Sequence, residues 1–135
     1  MITRTRIKDN NDLERFSEFL DQIYEDTHNN SELFPMLIST ANMGDKYMVT
    51  FEALTQPADG DIVMDCETPI SSFDDMVANI VTDMRTQVQY VIENGQQIAE
   101  DWAAESGADI EDCLDNNDKF VKIYSNLADY IESIS

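Results

Sequence analysis

Between Phe73 and Ile92 the apolar residues recur at helical spacing without a break: Phe73, Met76, Val77, Ile80, Val81, Met84, Val88, Val91 and Ile92. A helix carrying so long an apolar stripe holds its shape in water only when the stripe is covered. The rest of the chain must therefore supply a matching surface. Ser72 is a suitable N-cap, with Asp74 and Asp75 near the positive end of the helix. Asn94-Gly95 either ends or interrupts it. Ile98 and Trp102 continue the same face, so the spacing predicts a helix over 72–105, stopped by Gly107.

The covering surface is legible upstream. Met36-Leu37-Ile38-Ser39-Thr40 and Tyr47-Met48-Val49-Thr50-Phe51 have strand composition. Asn42-Met43-Gly44-Asp45 between them has turn chemistry, which predicts a hairpin over 34–54. Gln56-Pro57-Ala58-Asp59-Gly60 reads as a second turn, and 61–66 as a third strand built on Ile62-Val63-Met64. An amphipathic helix is predicted over 11–26, with Asn11 as cap and Glu14 as the returning carboxylate of a capping box. Its apolar face carries Leu13, Phe16, Leu20, Ile23 and Tyr24, with Phe19 at the margin. A short helix over 109–115 and a final helix over 117–134 follow. Residues 2–8 read as an edge strand or a loose basic arm containing Arg4, Arg6 and Lys8. Strands followed by helices indicate an α+β fold: a small antiparallel sheet of about three strands packed against the long helix. At 135 residues one domain is expected over the whole chain.

Charge sets the functional argument. There are 28 acidic residues against eight basic ones, a formal net charge of -20. Three of the bases lie in the first eight residues, so from Asp9 onward 28 acids face five bases. Self-repulsion at that density opposes the compact state. Nucleic acid and anionic membranes are excluded as direct partners on Coulomb grounds. A chain of this length is expected to be about 35–40 Å across. Some 20 charges on duplex DNA occupy about 34 Å. Charge and size therefore correspond to about one turn of duplex.

Catalytic signatures are lacking. There is no glycine-rich phosphate loop, no G-x-S-x-G and no H-E-x-x-H. His28 is the one histidine and falls in a polar stretch. Cys66 and Cys113 are too few for a disulfide framework and are expected to be reduced and buried. A cysteine–histidine dyad with His28 is not singled out by any spacing. Calcium loops of EF-hand type need glycine at position 6 and glutamate at position 12. Counting from Asp59, Asp109 or Asp115, those positions hold Met64 and Ile70, Leu114 and Phe120, or Phe120 and Asn126. The chain is thus expected to be non-enzymatic, with no cofactor and no metal. The N-terminal residues lack the apolar core of a signal peptide, and no apolar run reaches membrane length, so the cytoplasm of a host cell is the expected compartment.

Two acidic groups are candidate partner-binding surfaces. Glu14, Glu18, Asp21 and Glu25 are spaced 4, 3 and 4 residues apart. On a helix they lie within about 60° of one another, opposite the Phe16/Ile23 face, at steps of about 4.5–6 Å. No base stands at i+4 to neutralise them, as would be usual on a solvated face. The second group is Asp109, Glu111, Asp112, Asp115 and Asp118, part of which serves helix capping. In composition and size the chain resembles the anti-restriction and anti-CRISPR proteins that phages encode; the resemblance is one of physical type, with no shared motif. It implies an inhibitor that mimics DNA and occupies the basic groove of a nuclease, CRISPR effector or restriction enzyme. An immunity or antitoxin-type protein facing a basic toxin is the alternative, with Tyr24, Tyr47, Tyr90 and Trp102 as possible anchors. An acidic assembly factor or halophilic protein is a further one.

Overall fold

The computed structural model describes residues 2–54 and 62–135, and of residues 2–11 the backbone alone. The order is α1 (Ile2–Asn29), β1 (Met36–Asn42), β2 (Lys46–Ala53), β3 (Ile62–Pro69), α2 (Phe73–Ser106) and α3 (Ile110–Ile134). This is the expected α+β arrangement. The three strands form one antiparallel sheet in the order β1-β2-β3. Asn42 opens the hairpin turn: its Oδ1 accepts from the Gly44 N–H at 3.0 Å. Gly44 sits at φ 97°, where an L side chain would be strained. The turn expected at 56–60 lies outside the described residues, as do Asp59 and Asp61.

Alternation places one face of the sheet inside. Ile62, Met64, Cys66 and Thr68 are buried while Val63, Asp65, Glu67 and Pro69 are exposed. Register puts Val49 opposite Cys66 and Phe51 opposite Met64. All three helices cover that face, and among the described residues no element covers the other. From α1 come Phe16, Leu20 and Ile23; from α2 Met76, Val77, Ile80, Val81, Met84 and Val88; from α3 Ile123, Tyr124, Leu127 and Ile131. Tyr124 reaches furthest, its hydroxyl lying 2.9 Å from the Phe51 carbonyl and 2.8 Å from that of Ile62. That bond ties α3 to the strands and satisfies a polar group that would otherwise be buried bare.

Three points about the helices differ from the expected bounds or were open in the sequence. Residues 2–8 are helical, not a strand or free arm, and Asn11 lies inside α1 where it cannot cap. The isoleucines and threonines that read as a strand are continued from an amphipathic helix, and the extension overrides their local preference. Thr27 and His28 also belong to the helix, because the buried face continues through Thr27. Second, Asn94-Gly95 neither ends nor interrupts α2, which runs Phe73–Ser106 against the 72–105 expected of it. The Asn117 side chain donates to the Gly95 carbonyl at 2.9 Å, so the glycine marks the place where α3 crosses α2 closely. Third, the segments expected as separate helices over 109–115 and 117–134 are one helix. Asn117 and Asp118 are interior residues there, and only Asp109 caps, accepting from the Glu111 N–H at 3.1 Å. The predicted caps of α2 hold: Ser72 accepts from the Asp75 N–H, and Gly107 adopts φ 74°.

A helix of 34 residues is about 51 Å long. The molecule is therefore longer than the 35–40 Å expected of a compact chain this size. Val88 is the last α2 residue in the main core. Beyond it, Ile92 is 56% exposed. The distal third of α2 and the first third of α3 form a two-helix arm, whose buried side chains are Ala99 and Cys113.

Candidate partner-binding surfaces

The α1 stripe forms as its spacing implies. Phe16, Leu20, Ile23 and Thr27 turn inward, and Glu14, Glu18, Asp21 and Glu25 are all exposed. Tyr24, expected on the apolar face, is 41% exposed and stacks on the His28 ring. Arg15, the base nearest the stripe, is turned away from it. Its guanidinium lies 4.4 Å over the Phe73 ring and also pairs with Asp12 at 3.7 Å. Phe19 meets the same ring edge-on. A cation held over an aromatic face anchors α1 to the start of α2. Of the other α1 acids, the two whose side chains are described have internal partners. Asp12 takes Arg15, and Asp26 accepts from the Tyr130 hydroxyl and from Gln22. Glu18, Asp21 and Glu25 have neither an ion pair nor a side-chain hydrogen bond among the described residues.

The second group occupies the end of the helical arm. Asp109, Glu111, Asp112, Asp115 and Asp118 are exposed, and Asp115 pairs with Lys119 at 3.5 Å. The antiparallel return of α3 along α2 brings four further exposed carboxylates into the arm: Glu93, Glu100, Asp101 and Glu105. Sequence reasoning named only the α3 half. A signal for the rest existed, since no lysine or arginine occurs between Arg85 and Lys119. The placement works against helix stability. The last turn of α2 contains no base, although the C-terminal end of a helix favours cations.

The structure does not bring the two groups together. Arg15 and Phe19 contact Phe73 at the start of α2, whereas Asp109 follows its end, so the groups lie at opposite ends of a helix of about 51 Å. Arg85 fastens the two long helices at the α1 end, reaching Asp129 at 3.0 Å and Glu132 at 3.3 Å. On the open sheet face Lys46 pairs with Glu67 at 3.4 Å and Thr50 donates to Asp65 at 2.7 Å. Of the residues offered as aromatic anchors, Tyr24 and Tyr90 are exposed, while Tyr47 and Trp102 are half-buried.

Among the described residues, no group of three or more histidine, cysteine or acidic side chains is placed to hold a metal ion. The Asp59 loop lies outside them. Cys66 and Cys113 are buried and unpaired. Burial, reinforced by Asp83 and Asp65, pushes the Cys66 thiol up to about 12, so it stays protonated at neutral pH. His28 is exposed and its Nδ1 lies 2.9 Å from the Tyr24 carbonyl. No helix among the described residues is long and apolar enough to cross a membrane. Compared with family models, with curated proteins and with solved structures, the chain matches none of them.

Proposed function

We propose that this protein is a non-enzymatic inhibitor whose carboxylates stand in for the phosphates of a nucleic acid on a basic groove of a nuclease, CRISPR effector or restriction enzyme. The observation that carries the reading is the helical arm. Nine exposed carboxylates, from Glu93 to Asp118, line two antiparallel helices, and Lys119, next after Asp118, pairs with one of them, Asp115. Packed helices lie about 8–10 Å apart, so their acids form two roughly parallel rows. The α1 stripe adds a third row at the other end of the molecule. Arginine and lysine side chains of a groove built for phosphate would pair with such rows directly, and the field of a -20 chain would speed encounter.

Charge reversal tests the reading and separates the two surfaces. A protein pulled down from host lysate and displaced by added DNA should be lost from a Glu18→Lys, Asp21→Lys, Glu25→Lys triple variant, from a Glu111→Lys, Asp112→Lys, Asp115→Lys triple variant, or from both. All these positions are exposed, so circular dichroism should show both variants folded. Retention of the partner at full affinity by both variants would remove mimicry from consideration.

A second reading rests on Tyr24 and Tyr90, which are 41% and 59% exposed beside Glu25 and Glu93. Aromatic anchors amid acids suit an immunity-type protein facing one basic toxin. Under that reading Tyr90→Ala alone would cost binding as much as a charge reversal does.

A further inference from the structure

The sheet has two edges, and the chain treats them differently. At the outer edge of β3, α2 supplies side chains to the strand backbone: Asp83 accepts from the Glu67 N–H at 2.9 Å, and Gln87 donates to the Asp65 carbonyl at 2.7 Å. At the outer edge of β1 such cover is confined to the first residue, where Met36 donates its N–H to Thr27 Oγ1 at 3.2 Å. In an antiparallel strand, alternate residues direct both backbone groups to the same side. Pro35 and Met43 bond across the hairpin to Leu54 and Lys46, so Leu37, Ser39 and Ala41 face β2. Ile38, Thr40 and Asn42 therefore direct their N–H and C=O groups outward, with no backbone partner among the described residues.

The side chains along this edge are disposed symmetrically. Thr40 is central and exposed. Leu37 lies three residues before it and Met43 three after, 45% and 52% exposed. Alternation puts both on the open face of the sheet, with Ser39 and Ala41 between them, also exposed. The usual protections of an edge strand are missing: β1 has no lysine, no internal proline and no inward charge. Leu33 to Gly44 is the longest uncharged run in a chain with 28 acids.

We infer that the β1 edge pairs with the same edge of a second copy of this chain, the two strands running antiparallel about a two-fold axis at Thr40. In that register Thr40 meets its own counterpart, Ile38 meets Asn42 of the other copy, and Leu37 meets Met43, each contact occurring twice by symmetry. The backbone groups left outward by the hairpin bond to one another. The two exposed apolar residues cover each other as cross-strand pairs on the open face. Charge and symmetry select the occupant. Two chains of -20 repel, so they approach closely only where neither brings a carboxylate, and this run brings none. A charged partner finds nothing to pair with along it. A neutral segment of another protein could meet the backbone, but matching Leu37 with Met43 in both directions is a property of two identical strands. The inference does not depend on what the acidic surfaces bind.

Sedimentation velocity over a range of protein concentration should show monomer passing to dimer. The dimer should tighten as salt rises, because screening weakens the repulsion between copies. Binding of a basic partner through the carboxylates has the opposite salt dependence, which keeps the two readings apart. Amide exchange at Ile38, Thr40 and Asn42 should slow as the dimer forms. Thr40→Pro removes one outward N–H from each chain without touching the β2 ladder. It should weaken the dimer about thirtyfold, as loss of both bonds of the Thr40 pair implies. Cysteine cross-linking reads the register and serves should that variant misfold. Leu37→Cys mixed with Met43→Cys should form a disulfide on mild oxidation, since opposed residues of this kind stand about 4.5 Å apart at Cα, within disulfide reach. Leu37→Cys alone should not, because its counterpart is displaced along the strand by about 20 Å. The native Cys66 and Cys113 are buried and should stay out of the reaction. A chain that remains monomeric at every concentration and salt would overturn the inference. So would a dimer in which Leu37→Cys joins itself as readily as it joins Met43→Cys.

Discussion

Three side chains show how this chain spends its polar chemistry on the fold while leaving Glu18, Asp21 and Glu25 free among the described residues. Tyr124 is fully buried, and its single O–H points between two strand carbonyls. Tyr124→Phe should destabilise by about 1–3 kcal/mol, read from urea denaturation, because a buried hydrogen bond between α3 and the sheet is lost. Cys66, Tyr124 and Tyr130 all have pKa values raised in the fold. Burial is the first cause for each, followed by neighbouring charges for Cys66 and Tyr124 and by the Asp26 bond for Tyr130. In the unfolded chain the thiol ionises near 9.0 and the phenols near 10.0, before the folded forms do. Their stabilising contribution is complete below pH 9 and is lost as pH climbs through 12, the folded value of Cys66 and Tyr130. The urea midpoint should fall across that interval, and Cys66→Ala should delay the onset. A midpoint flat to pH 12 would contradict the assigned burial.

Local rules carried the elements far but stopped where packing took over. Ser72, Gly107, the 42–45 turn and the alternation of β3 were legible, because capping and pleat act within a few residues. The extension of α1 to Ile2 was not, since the strand-like composition of residues 2–8 is outweighed by continuity with a packed helix. Fusion of the last two helices was hidden for a similar reason: the polar run around 117 read as a break between two helices, yet Asn117 finds its partner across the arm at Gly95. That contact yields a prediction. A Cβ at Gly95 would come no closer than 3.8 Å to its nearest neighbour, the Asn117 amide, an ordinary contact. Gly95→Ala should therefore stabilise by about 0.5–1 kcal/mol through helix propensity. Gly107→Ala, at φ 74°, should destabilise by about 1–2 kcal/mol despite open space around it. Thermal denaturation of the two variants should move in opposite directions.

Across the whole molecule, charge is held where it opposes folding. The bases of the described region are few and mostly committed: Arg15 to Phe73 and Asp12, Lys46 to Glu67, Arg85 to Asp129 and Glu132, Lys119 to Asp115. The α1 stripe was legible from spacing alone. The arm was half legible, because Glu93, Glu100, Asp101 and Glu105 join the α3 acids only when the two helices fold back on each other. Repulsion between these rows is screened by salt, so the melting temperature should rise between low and physiological ionic strength. A halophilic protein would instead lose its structure below about molar salt.

Mimicry makes one demand that neither immunity nor solubility makes: the partner must be unable to hold this protein and DNA together. The decisive measurement is equilibrium binding of the captured partner to this protein during titration with duplex DNA. Mutually exclusive binding is expected, with an affinity that falls steeply as salt rises. A stable ternary complex of partner, duplex and this protein would contradict the account.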